Sequence, residues 1–69
     1  MTYWAGKIED CQWCGIPLIV TFVDGRIPGV GMWGCLCETC VRKLGVQIGT
    51  GKGQRYTKQP DGRWLKTEG

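Results

Sequence analysis

Sixty-nine residues with nine Lys and Arg against six Asp and Glu, five cysteines, four tryptophans and no histidine make one small, mildly basic domain. A chain this short buries too little apolar surface to hold itself together comfortably, so a staple is expected. The lack of histidine removes the usual general base, and the longest apolar run, IPLIVTFV, is far below the roughly 20 residues that cross a bilayer.

The opening MTYWAGKIED carries no apolar core of signal-peptide length and no small-residue cleavage pattern. The expectation is therefore an intracellular, cytoplasmic protein in which cysteines serve as metal ligands rather than disulfides. Charge is unevenly spread. Up to Val41, Lys7 and Arg26 face four carboxylates, Glu9, Asp10, Asp24 and Glu38; from Arg42 onward, seven cations face only Asp61 and Glu68. Such asymmetry marks either contact with a polyanion or a solvated basic tail.

In chain order, CQWCG is a tight turn. PLIVTFV has the β-branched and aromatic content of a strand, and Asp24-Gly25 has the chemistry of a two-residue hairpin turn. The return arm, RIPGVGMWG, is weakened by Pro28 and three glycines, so its pairing should be short or bulged. CETCVRKLG reads as a two-turn helix, with Glu38 in its first turn, Arg42 and Lys43 in its last, and Gly45 placed to end it. VQIGTGKGQRY reads as a glycine loop, a Pro60-Asp61-Gly62 turn precedes Arg63-Trp64-Leu65-Lys66, and the last few residues should fray. The domain divides into a four-cysteine module over residues 1–48 and a basic glycine- and aromatic-containing extension over 49–69, packed on or flanking it.

Cys11 and Cys14 form one C-x-x-C, Cys37 and Cys40 another, with 22 residues between them, close to the spacing of four-cysteine zinc sites. Each turn brings two sulfurs to one point, and two turns supply four tetrahedral ligands. Cys35 is then the spare, and the odd count argues against a pure disulfide framework. A thioredoxin-like role fails for want of a βαβ pattern. Iron shares the geometry and the CQWCG knuckle, but CETCV lacks the matching glycine, so Zn²⁺ leads. Four cysteines close the coordination shell, which with the missing histidine predicts a protein that is not an enzyme. Gly29-x-Gly31-x-x-Gly34 and GTGKG match nucleotide-binding patterns only superficially, the first lacking a strand–helix–strand setting and the second the Ser or Thr after its lysine.

In the basic extension, Lys52, Arg55, Tyr56, Lys58 and Arg63, with Trp64 and Lys66, interleave cations with aromatics, the combination that neutralises phosphates and stacks bases. The opposing reading packs Tyr56 and Trp64 on the module and leaves the lysines solvated. Trp4, Trp13 and Trp33 are expected as lids over the metal and hairpin, Trp13 alternatively as an exposed partner contact.

A knuckle, a β-hairpin and a helix whose first turn carries the second ligand pair is the order of elements in treble-clef zinc domains, and Cys11 to Leu44 resembles one. The longer pattern, YWAGK, then C-x-x-C, W-x-x-L-C-x-x-C as it would enter the helix, and LGVQIGTGKGQRY, is similar to small four-cysteine proteins of bacteriophages and prophages. The resemblance implies a treble-clef-like or zinc-ribbon-like α+β domain, Zn²⁺ at Cys11, Cys14, Cys37 and Cys40, and a phage or host-manipulating context. In this sequence Trp33-Gly-Cys-Leu-Cys37 places an extra cysteine inside that pattern. Two partners stay open, nucleic acid bound through the basic loop and, as the alternative, a host protein that the module inhibits or redirects through exposed tryptophan and the hairpin edge.

Overall fold

The computed structural model describes all of residues 1–69. Five elements follow in order: β1 (Thr21–Arg26), β2 (Trp33–Leu36), α1 (Glu38–Leu44), β3 (Gly53–Lys58) and β4 (Trp64–Glu68). The strands make one antiparallel sheet in the order β2-β1-β3-β4, giving a small α+β fold.

The first hairpin is not turned at Asp24-Gly25. Both residues lie inside β1, Asp24 opposite Cys35 and Gly25 opposite Gly34, and the reversal comes later, at Pro28–Val30. Gly25 is a glycine for lack of room: a Cβ there would come within 2.5 Å of Val46 Cγ1, beneath which the strand passes. Its partner across the β1–β3 ladder, Gly53, is confined in the same way, 2.6 Å from the Gln47 carbonyl oxygen to a built Cβ. Two facing glycines thus let the 46–52 loop lie directly on the sheet. Of the expected strand Pro17 to Val23, only Thr21 to Val23 lies in β1; Pro17 to Val20 precede it, with Ile19 and Val20 exposed.

The 49–69 segment packs on the rest of the chain by backbone pairing, since β3 runs in register with β1 from Thr21↔Thr57 to Gly25↔Gly53. Instead of fraying, β4 stays in the ladder as far as Glu68. Period-two alternation then gives the sheet two faces. Thr21, Val23 and Arg55 lie toward α1, as the Thr21 Oγ1 and Arg55 bonds to Glu38 show. Phe22 and Tyr56 lie on the other face, ring centroids 5.1 Å apart and nearly parallel, with Trp64 edge-on to Phe22 at 5.0 Å and Trp4 edge-on to both at 5.4 Å. Such contacts contribute about 0.5–1.5 kcal/mol each beyond area burial. The Trp4 Nε1–H is buried without a conventional acceptor.

Neither sheet edge is open along its length. At the β2 edge, Cys35 N–H donates to Gln12 Oε1 at 2.8 Å and its carbonyl accepts from Gln12 N–H at 2.9 Å. At the β4 edge, Trp4 N–H donates to Trp64 O at 2.9 Å and Lys66 N–H to Thr2 O at 2.8 Å. These bonds blunt the template for strand addition that a bare edge would present.

Candidate metal centre

α1 begins where the local sequence signals place it. Cys37 caps it in extended conformation, its sulfur accepting from Cys40 N–H at 3.5 Å, and Gly45 ends it in the left-handed region (φ 71°) with its N–H on Val41 O. The knuckle closes through Gly15 N–H to Cys11 O at 2.9 Å and Cys11 N–H to Ile16 O at 2.8 Å, with Gly15 at φ 82° supplying the left-handed turn. β2 delivers the chain into α1, and Gln12 straps the knuckle to β2.

The result brings the sulfurs of Cys11, Cys14, Cys37 and Cys40 within 4.8 Å of one another. Two separations are more informative: Cys11 to Cys40 is 3.8 Å and Cys14 to Cys37 is 3.7 Å. Four sulfurs about 2.3 Å from a tetrahedral ion are about 3.8 Å apart, whereas a disulfide would need about 2.05 Å. All five cysteines are free thiols, so the donor set fits a divalent ion of Zn²⁺ size and softness, with all four positions taken by protein.

The surroundings favour the thiolate at Cys11 and the thiol at Cys40. Burial alone would raise the Cys11 thiol, but backbone N–H groups of Cys14, Cys37 and Trp13 outweigh it and bring it down to about 6; the Cys37 N–H lies 3.3 Å from that sulfur. Cys40 is pushed up to about 12, by burial first and then by hydrogen bonds with its neighbouring thiols. Three of the four ligands are buried and Cys14 is exposed, so an ion would enter from the knuckle side.

Cys35 stands outside the cluster. It sits opposite Asp24 on β1, on the aromatic face of the sheet, and its thiol is pushed up to about 11 by burial, then by the charges of Asp24 and Cys11. It is 4% exposed and behaves as a small core residue.

The fold keeps Lys58 and Arg63 on one groove and gives the other residues expected to act with them different settings. Lys52 and Lys58 are exposed and free of carboxylates, the latter with Nζ 5.6 Å from the Trp64 ring. Tyr56 is 7% exposed, its ring stacked on Phe22, which leaves it no face for a base. Arg63 is held by Asp61 (Nε to Oδ2, 2.7 Å) and lies 4.1 Å from the Tyr3 ring centroid. Arg55 grips Glu38 through Nε and Nη2 at 2.9 and 2.8 Å and also pairs with Glu68. Trp13 and Trp33, expected as lids, are about half exposed, at 53% and 46%.

Arg55 therefore serves the metal centre. Glu38 lies between the two helix ligands, and the fork from Arg55 with the Thr21 hydroxyl at 2.8 Å ties that helical turn to β1 and β3. Those bonds, the Arg55 one foremost, hold the Glu38 carboxyl below its ordinary range although burial opposes them. Glu38→Gln should cost about 1–2 kcal/mol, the value of a charge-assisted pair discounted for side chains 24% and 35% exposed. Urea unfolding of the zinc-loaded variant measures it, and an unchanged midpoint would remove Arg55 from this role. Nothing in the sequence joins Arg55 to Glu38, 17 residues away, because the link runs through β1–β3 register.

No family model, curated protein or solved structure matches this chain. The metal centre is defined by its own geometry. No helix is long and apolar enough to cross a membrane.

Proposed function

We propose that the protein is a non-enzymatic module, folded around one Zn²⁺, that binds nucleic acid through a cationic surface remote from the metal. The observation that carries this is the surplus of unpaired cations. Arg55 and Arg63 take up Glu38, Glu68 and Asp61, leaving seven Lys and Arg against Glu9, Asp10 and Asp24.

A zinc–tetrathiolate centre works against polyanion binding, since four thiolates and a divalent ion lower the formal +3 of the chain to about +1. Position decides the matter. The centre lies at the β2 side, and β4 is three strand spacings away, about 14 Å, beyond a Debye length of about 8 Å at physiological salt. Lys66 on β4 therefore keeps its attraction for phosphate, and Lys58 on β3, two strand spacings or about 10 Å away, keeps most of its own. The knuckle, hairpin and helix order supports a treble-clef-like arrangement, which accommodates both nucleic-acid and protein recognition.

Fluorescence anisotropy of labelled single- and double-stranded oligonucleotides over a salt series tests the reading. Zinc-loaded protein should bind with log K falling linearly in log salt. Lys52/Lys58/Lys66→Gln should flatten the slope by about 2, the effect of three phosphates no longer neutralised on a single strand. Arg55 is left intact because its loss would loosen the metal centre. Absence of binding at low salt in both oligonucleotides would sink the proposal.

A second reading is favoured by one observation. Trp13, Met32 and Trp33, 46–64% exposed, border an apolar recess of about 410 Å³ beside the knuckle. A host protein in the phage context would be anchored there by side-chain insertion rather than strand addition, because Gln12 already occupies the Cys35 edge.

A further inference from the structure

Arg26 and Lys52 are 26 residues apart and fall on opposite sides of the charge division in the sequence. The fold puts them together: Arg26 N–H donates to Lys52 O at 2.8 Å, where β1 leaves the sheet and the glycine turn enters β3. Between them lies a recess of about 380 Å³, lined by these two cations with Pro28, Gly45, Gln47 and Gly51. It has no carboxylate in its wall. Neither cation has an ion-pair partner, whereas Arg55 and Arg63 are both paired.

The turn beneath is rigid. Gly49 and Gly53 exchange backbone bonds at 2.8 and 3.0 Å, Lys52 N–H donates to Gly49 O at 3.0 Å, and the loop lies on the Gly25–Gly53 pair without space for a Cβ. Gly51, left-handed at φ 75°, presents bare backbone to the recess, and its N–H makes no bond within the protein. The carbonyl end of α1 borders the same space at Gly45 and by itself disfavours an anion; Arg42 and Lys43 in that last turn offset it. Arg26 lies opposite Trp33, four residues before Cys37, so its backbone is about 13 Å along the strand from that ligand. The other cationic groove, around Lys7, Lys58 and Arg63, contains Glu9, and its arginine is already held by Asp61.

We propose that this recess is a phosphate-binding subsite, in which Arg26 and Lys52 neutralise one backbone phosphate of a nucleic acid and the Gly51 turn lets it approach the main chain. The proposal deepens the nucleic-acid reading and rests on it for the source of the phosphate. Lys52 on an ordered turn, Arg26 at the end of β1 and a free amide need little rearrangement to accept such a group, which is what makes the turn's rigidity useful.

The test is amide chemical-shift mapping of ¹⁵N-labelled, zinc-loaded protein, titrated separately with a ten-residue oligothymidylate and with sodium pyrophosphate, beside Arg26→Gln/Lys52→Gln. Both side chains are exposed, so the variant should keep its circular dichroism and zinc content. Saturable shifts at Arg26, Gly51 and Lys52 with both probes are expected, together with about tenfold weaker oligonucleotide binding by the variant and a salt slope shallower by about 0.7, the value for one phosphate on a single strand. Oligonucleotide binding that perturbs other residues and is unchanged in the variant would overturn the subsite while leaving the nucleic-acid reading standing. If no oligonucleotide binds, that reading falls, and pyrophosphate decides the recess alone: shifts abolished in the variant keep a phosphate site, and their absence removes it.

Discussion

Exhaustive chelation of the zinc-loaded protein should abolish its far-UV circular dichroism signature and its amide dispersion together. Metal binding in small structural zinc sites contributes about 10–16 kcal/mol apparent at neutral pH. A chain of 69 residues has a total stability of about 3–10 kcal/mol by the usual per-residue scale, so the metal term exceeds the margin. The geometry explains why the loss would spread. Cys11, Cys37 and Cys40 belong to the buried core, Cys37 caps α1, and Gln12 of the knuckle closes the edge of β2. Released thiolates would sit unpaired in that core, or take up protons and lose the amide bonds that now hold Cys11. Serine at Cys11, Cys14, Cys37 or Cys40 should give protein with less than stoichiometric metal, by atomic emission after gel filtration, whereas Cys35→Ser should keep one ion per chain. Metal lost from Cys35→Ser but kept in Cys37→Ser would mean that the ligand set is misread. A native spectrum after chelation would mean that the aromatic face holds the sheet without metal.

How much of this is visible in the sequence depends on the range of each interaction. The helix over Glu38–Leu44 is legible because its signals are local: Cys37 before it, Glu38 in its first turn, Gly45 after it. The two C-x-x-C pairs are legible for the same reason, since each turn fixes its own sulfurs. Asp24-Gly25 misleads because a glycine has two uses, positive φ and want of space, and only the tertiary contact with Val46 distinguishes them. A turn expected there puts the strand several residues early. Tyr56 and Arg55 mislead by chemistry: an aromatic and a guanidinium suit a nucleic acid and equally suit a stacked core and a carboxylate clamp. Pairing of β3 with β1 chooses the second use for both. Arg26 gives no local signal because the cation beside it in space, Lys52, lies in the other half of the chain. Spacing sets Cys35 apart from the cluster, and strand alternation supplies the cause, placing it with Phe22 and Tyr56 on the face away from α1.

Phe22→Ala should be the most damaging single core substitution outside the metal ligands. Phe22 is fully buried at 0% exposure, pairs in register with Tyr56, and its ring touches three others, Trp4, Tyr56 and Trp64. Truncating a buried phenylalanine costs about 3–5 kcal/mol, through lost transfer energy and the cavity left behind. Here the cavity is bordered by rigid rings rather than flexible aliphatics, so collapse is limited and the cost belongs near the upper end. Because zinc binding and folding are coupled, the loss must also appear in the metal: a variant destabilised by this amount releases Zn²⁺ to a competing chelator at a concentration lower by about three to four decades. Phe22 is not itself a ligand and stacks on Tyr56, which makes the readout diagnostic. Urea unfolding with metal saturating and chelator competition at neutral pH measure the two effects separately. Equal free-energy losses in both would show one cooperative unit spanning the aromatic face and the metal centre. A stability loss without easier release would show that knuckle, β2 and α1 hold the ion as a unit of their own.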